Sequence, residues 1–80
     1  MTALDVVFRL GRPPGAPEMQ ALYQVREVYG IRKIHFDGDG LTVRVEYDAS
    51  RLAENTVAAL LRRAGLDVRD KVALGVSLGG

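Results

Sequence analysis

The 80-residue sequence has no cysteine, no tryptophan and a single histidine, and its three prolines lie close together. Without cysteine, the chain has no disulfide, no thiolate metal site and no thiol nucleophile. No apolar run approaches the roughly 20 residues of a membrane span. The N-terminus also lacks the basic region that precedes the apolar run of a signal peptide. We therefore expect a cytoplasmic protein that does not associate with membranes.

Neither sign of charge dominates, because 11 Lys and Arg residues stand against 10 Asp and Glu residues and the formal net charge is +1. This balance gives no general attraction for nucleic acid or for a membrane surface. With 48% hydrophobic and 26% charged residues, the composition is that of a globular protein. The length predicts one domain, residues 1–80. Such a small chain buries only about 60–65% of its unfolded surface, so dense packing or oligomerisation must support it.

The clearest local pattern is a β-hairpin from residue 31 to residue 47. Its second strand alternates apolar and polar side chains from Leu41 to Tyr47, which is typical of a strand with one buried face. The preceding Asp-Gly-Asp-Gly sequence predicts the turn. A similar alternation from Ala3 to Leu10 predicts an earlier strand whose even-numbered residues are buried.

Two helical patterns flank this hairpin. The first begins near Pro17, which suits a first helical turn, and we expect Gly30 to end it as the residue after its C-cap. The second begins after a cap at Asp48 or Ser50 and ends at Gly65.

A last strand alternates from Leu66 onward, and Asp70 interrupts its pattern, so we expect a bulge, kink or break there. The order of elements is thus βαββαβ. Two such βαβ units with right-handed crossovers predict an α+β fold, the ferredoxin-like sandwich. Its four-stranded antiparallel sheet has the strand order 4-1-3-2, and two helices cover one face.

Two stretches, residues 41–48 and 60–68, resemble the heavy-metal-associated domain. That family comprises small copper and zinc chaperones and N-terminal modules of metal-pumping ATPases. The resemblance covers roughly residues 3 to 73, and most of the matching positions are ones that the fold requires. It implies the ferredoxin-like fold and a history of docking onto similar domains.

The family binds its metal with a Gly-Met-x-Cys-x-x-Cys motif in the loop after the first strand. In this sequence Gly11 matches the glycine, Arg12 replaces the methionine, and Pro14 and Pro17 occupy the two cysteine positions. Proline supplies neither a thiolate nor an N–H group. The resemblance therefore implies a domain without the family's metal site.

The proline-rich loop from Gly11 to Pro17 has a functional and a plain interpretation. It is either a stiff recognition loop or a backbone nest for a small anion beside Arg12 and the helix N-terminus, or it is a connector that lost its metal role. The prolines favour the connector because they remove N–H donors.

His35 has Asp37 and Asp39 as its nearest acidic neighbours in sequence. These three residues are fewer than the oxygen ligands of a calcium loop and do not complete a zinc shell. We expect a surface histidine, no metal site and no cofactor.

The sheet face away from the helices is a candidate docking surface. On a regular alternation it has a net charge of +3, but it offers no aromatic side chain to stack on bases, so we expect no nucleic acid partner. The predicted cations are Arg9, Lys33, Arg44, Arg69 and Lys71, and the predicted carboxylates are Asp5 and Glu46.

The C-terminal strand is a second candidate surface, because it is apolar at Val72, Leu74, Val76 and Leu78. An apolar strand at a sheet edge invites pairing with another chain. The sequence is compatible with a homodimer joined through this edge and with an ordinary edge strand of a monomer.

No nucleophile motif, phosphate-binding glycine loop or acid–base pair is present, and Tyr29 and Tyr47 fit apolar stripes at the core or its edge. We therefore interpret the chain as a non-catalytic interaction module that acts by protein docking or self-association. The alternative is binding of a metal ion or small ligand through ligands other than cysteine. A third class, an enzyme active only as an oligomer, stays open.

Overall fold

The computed structural model describes residues 3–76 and their side chains, apart from those of Leu74 and Val76. Strands and helices follow one another in the predicted order βαββαβ. Their bounds are Ala3–Leu10 for β1, Ala16–Arg26 for α1, Ile31–Phe36 for β2, Thr42–Asp48 for β3, Glu54–Arg63 for α2 and Val68–Val76 for β4.

The four strands form one antiparallel sheet in the order β2-β3-β1-β4, which confirms the predicted strand order. Buried residues of both helices and of one sheet face belong to a single hydrophobic cluster, so the helices cover that face. The fold is the ferredoxin-like α+β sandwich.

The core is built on alternate residues of the two central strands, β1 and β3. Val6, Val43 and Val45 are completely buried, and Val6 lies opposite Val45 across the two strands. Leu22 of α1 and Leu61 of α2 pack onto them with almost no exposed surface. Since each buried Val or Leu contributes about 1.5–3 kcal/mol, this cluster is the main stabilising feature of the domain.

The first helix ends at Arg26, about one turn earlier than predicted, so the expectation that Gly30 follows its C-cap is wrong. The reason is a tightening of the chain after α1. The N–H of Val28 donates to the carbonyl of Val25 at 3.0 Å, a bond that spans three residues instead of four. Gly30 then turns the chain into β2 with a φ of +105°.

The early helix end also moves Tyr29 out of the core, so its predicted core or core-edge position is wrong. Its side chain is 66% exposed, and the guanidinium carbon of Arg51 lies 4.5 Å from its ring centroid, which is a cation–π contact. Tyr47, by contrast, is buried as predicted. Burial raises the pKa of the Tyr47 hydroxyl, the charge of Glu54 raises it further, and Lys71 opposes both effects.

The second helix begins at Glu54 after Ala53, so the prediction of a cap at Asp48 or Ser50 is wrong. Asp48 instead closes a turn after β3. One carboxylate oxygen accepts the N–H of Ser50 at 3.0 Å and its hydroxyl at 2.6 Å. Gly65, with a φ of +101°, follows the C-cap of α2 as predicted.

The predicted irregularity near Asp70 is confirmed as two bulges, one on each side of it. The pairing with β1 skips Arg69 just before Asp70 and skips Val72 just after Lys71. Each skipped residue shifts the alternation by one. Asp70 and Lys71 therefore exchange faces relative to a regular strand, and the original alternation resumes at Ala73.

Candidate functional site

In the loop between β1 and α1, two backbone N–H groups already donate hydrogen bonds to other residues of the chain. The N–H of Gly11 donates to the carbonyl of Asp67 at 2.9 Å, and the N–H of Gly15 donates to Oε1 of Glu18 at 2.8 Å. The latter bond is the glutamate half of a capping box, and it occupies the start of α1, where a bound anion would otherwise lie. These contacts favour the connector interpretation of the loop. Arg12 is exposed, and its role in an interaction stays a prediction.

His35 lies exposed on β2, opposite Arg44 of β3. Within residues 3–76, no three His, Asp or Glu side chains come close enough together to hold a metal ion.

Glu46 of β3 is an acid on the open sheet face that is only 5% exposed. Its Oε2 lies 3.3 Å from Nε of Arg32 on β2. A bulge between Ile31 and Lys33 places Arg32 and Lys33 side by side along this acid. Two cations therefore neighbour Glu46 on the β2 side, and Asp5 lies opposite it on the β1 side.

The two bulges of β4 change which charged residues share this face. Asp70 forms an ion pair with Arg9 of β1 on the open face. Lys71 lies on the helix side, where its Nζ is 3.1 Å from Glu54 of α2, so its predicted place on the open face is wrong. Arg69 lies in the bulge and pairs with Asp67 at 3.1 Å.

Four cations and four carboxylates share the open face of the described chain, which gives no net charge instead of the predicted +3. The cations are Arg9, Arg32, Lys33 and Arg44, and the carboxylates are Asp5, Glu46, Asp48 and Asp70. Because the two signs balance, and ion pairs join Arg9 to Asp70 and Arg32 to Glu46, this arrangement favours a solvated or protein-docking face.

The first part of β4 is irregular, and the last part is a regular edge strand. At its start, Nη2 of Arg62 reaches the carbonyl of Val68 at 3.4 Å, and the bulges at Arg69 and Val72 then interrupt the strand. From Ala73 to Val76 the strand pairs regularly with β1. We call this stretch, residues 73–76, the open edge segment.

Exposure along β4 agrees with its edge position. Val72 is 59% exposed, and Ala73 and Gly75 are exposed as well. Of the predicted interaction residues, Leu78 lies outside the described residues, and the side chains of Leu74 and Val76 do too.

The strand at the opposite edge, β2, has similar features that hinder pairing with another strand. Nη2 of Arg26, at the end of α1, reaches the carbonyl of Ile34 at 3.4 Å. A bulge at Arg32 interrupts the strand near its start. Each edge strand thus contains a bulge. In each, an arginine from the last turn of the preceding helix also donates a hydrogen bond to one strand carbonyl. Bulges and charged side chains are common means of preventing unwanted strand pairing.

A groove of about 370 Å³ runs between the two helices, and no strand residue lines it. Its lining comprises Ala21, Gln24 and Val25 of α1, Val28 just after α1, Leu60 and Arg63 of α2, and Ala64 at the C-cap of α2. We call it the interhelical groove.

Sequence reasoning missed both the groove and the two edge arginines. The groove depends on how far apart the two helices lie, and periodicity does not report this distance. The one usable signal was the small side chains of Ala21 and Ala64, which leave room between the helices.

Comparisons of the chain with protein families, with curated proteins and with solved structures find no match. The resemblance to the heavy-metal-associated domain therefore stays a prediction. In the described part of the chain, neither helix is long and apolar enough to cross a membrane.

Proposed function

We propose that this chain is a small non-catalytic docking module, similar to a heavy-metal-associated domain with Pro14 and Pro17 in place of the two cysteines. Its docking surface is the open edge segment of β4, residues 73–76. The observation that carries the proposal is the contrast along β4: the first half is interrupted by two bulges and an arginine contact, whereas the second half is regular.

An edge strand offers N–H and C=O groups that alternate between the neighbouring strand and the outside. A second strand placed along the open edge segment would satisfy the outward groups by main-chain hydrogen bonds. Val72 and Ala73 would supply apolar contact area beside them, since both are exposed.

The partner that we favour is a second copy of the chain. Two copies related by a two-fold axis place the open edge segment against itself in antiparallel fashion, which is a self-complementary interface. The two sheets then form one continuous sheet. A net charge of +1 per chain opposes this approach only weakly.

The dimer is expected to be weak, because the segment contributes few hydrogen bonds and each is worth about 0.5–1.5 kcal/mol net. Its mass should therefore depend on concentration. Sedimentation equilibrium over a range of protein concentrations measures this dependence directly.

Val72→Lys tests the interface. A lysine on an edge strand opposes strand addition, and the exposed position tolerates it in the folded chain. We expect dimerisation to weaken by about tenfold or more, which corresponds to 1.4 kcal/mol. Point substitution is preferable to truncation because Ala73 to Val76 also pair with β1.

Tyr23→Lys is the matched control, since Tyr23 is also an exposed apolar residue, at 69%, but lies on α1. It should leave dimerisation unchanged. A wild-type chain that stays monomeric at millimolar concentration, or two variants with equal effects, would contradict self-association through β4.

A further inference from the structure

The interhelical groove is independent of the edge of β4 and has its own chemistry. Its floor is apolar, with Val25 almost fully buried and Val28 and Leu60 partly buried. Two polar side chains, Gln24 and Arg63, complete the lining. An apolar concave surface with a few polar groups is the usual composition of a small-molecule site.

Arg63 stands out among the cations near the helices. Arg26 and Arg62 donate hydrogen bonds to strand carbonyls, and Arg51 lies over the ring of Tyr29. Arg63 makes no hydrogen bond or ion pair with any residue that the structure describes. Its guanidinium is thus available at an apolar groove, where a carboxylate would complement its charge.

We propose that the interhelical groove binds a small apolar carboxylic acid. The carboxylate pairs with Arg63, Gln24 adds a hydrogen bond, and the hydrocarbon part lies against Val25, Val28 and Leu60. Ala21 and Ala64 make the room for it.

The dimensions limit the ligand and its affinity. A groove of about 370 Å³ lies at the lower end of the range for small-molecule sites, about 300–1,000 Å³. A ligand with fewer than ten heavy atoms in an open groove gains only modest free energy, so we expect a Kd of about 1 mM.

The experiment titrates the full chain with hexanoate and, separately, with its uncharged counterpart hexanamide, while amide chemical shifts are recorded by NMR. Hexanoate should shift the amides of Ala21, Val28 and Leu60 in a saturable manner. Hexanamide should bind about tenfold more weakly because it lacks the charge. Equal binding of the two compounds, or shifts spread over the whole surface, would overturn the proposal.

Two variants locate the site. Arg63→Gln removes the charge and should weaken hexanoate about tenfold, with no effect on hexanamide. Arg44→Gln is the matched control, since Arg44 is also an exposed arginine but lies on β3, on the sheet face away from the helices. An equal loss in both variants would show a non-specific charge effect and reject the groove.

Ala21→Leu provides a test that does not depend on charge. Leucine favours helix formation, so α1 is retained, and its larger side chain fills the groove. Both hexanoate and hexanamide should then lose binding. Unchanged binding in this variant would also reject the groove.

Discussion

Gly30 holds a backbone conformation that other residues adopt only with strain. It joins α1 to β2 with a φ of +105°, and a Cβ atom built there would lie 2.9 Å from Cγ of Leu52. Gly65, after α2, has a similar φ of +101°, but its nearest atom is Cγ of Glu18 at 3.1 Å, on a flexible side chain. The two glycines thus share the conformational strain and differ in the steric contact.

We therefore expect Gly30→Ala to destabilise the fold more than Gly65→Ala. The positive φ alone costs about 1–2 kcal/mol in each variant, and the contact with Leu52 adds to this only at position 30. Urea denaturation of both variants measures the difference. Equal losses would mean that Leu52 moves away without cost.

Asp48 makes the stability of the fold depend on pH. The hydrogen bond from the Ser50 hydroxyl, and next the one from the Ser50 N–H, hold the pKa of Asp48 below its ordinary value. A lowered carboxyl pKa stabilises the folded state above the unfolded pKa, and this contribution disappears as the pH falls through the folded pKa.

Ser50→Ala removes the stronger of the two bonds, so the pKa of Asp48 should rise toward its ordinary value. The variant should be less stable than the wild type at neutral pH, and the difference should shrink at acid pH, where Asp48 is protonated in both. Urea denaturation at both pH values tests this. A deficit that is the same at both would assign the effect to the hydroxyl and not to the charge of Asp48.

At the scale of elements, β4 shows what an alternating pattern predicts and what it misses. Asp70 broke the pattern and correctly marked an irregularity. Nothing in the alternation indicated two bulges, because a bulge depends on the pairing with β1. The two bulges exchange the faces of Asp70 and Lys71, which explains most of the error in the predicted charge of the open face.

Deletions in β4 and β3 provide a direct test of this register. Removing Val72, which the pairing with β1 skips, would eliminate one bulge and keep every remaining residue on its present face. Removing Arg44 of β3, which pairs with both Val7 and His35, would shift the rest of β3 by one residue and reverse its faces. We expect the Val72 deletion to fold and the Arg44 deletion to lose most of its stability.

Thermal unfolding followed by circular dichroism compares the two deletions. Each deletion removes one residue, so the difference in stability reports whether that residue belongs to the paired register. An Arg44 deletion as stable as the Val72 deletion would contradict the observed register.

The helix boundaries were the least predictable elements. Residues after Arg26 continue the helical spacing, yet local bonds that span three residues end α1 there. Asp48 has the composition of a cap but binds its own turn, and Ala53 precedes α2 without any side-chain cap. In both cases a local turn competes with the helix, and the two conformations differ by only one or two hydrogen bonds.

At the scale of the whole molecule, the topology was predictable because it follows from few choices. The order βαββαβ and right-handed crossovers leave one compact arrangement, and the buried faces of β1 and β3 confirm it. The interhelical groove and the open edge segment were not predictable as sites. They depend on distances and pairings between elements that are far apart in sequence.

The edge arginines have a consequence for how far assembly can proceed. Sheets that add strands at both edges grow without limit into fibres. In the described chain, Arg26 and a bulge protect β2, so the open edge segment is the unprotected part of the sheet rim. If two copies pair through this segment as proposed, the described residues leave no unprotected rim for a third. Raising the protein concentration should therefore convert single chains into pairs without producing larger particles.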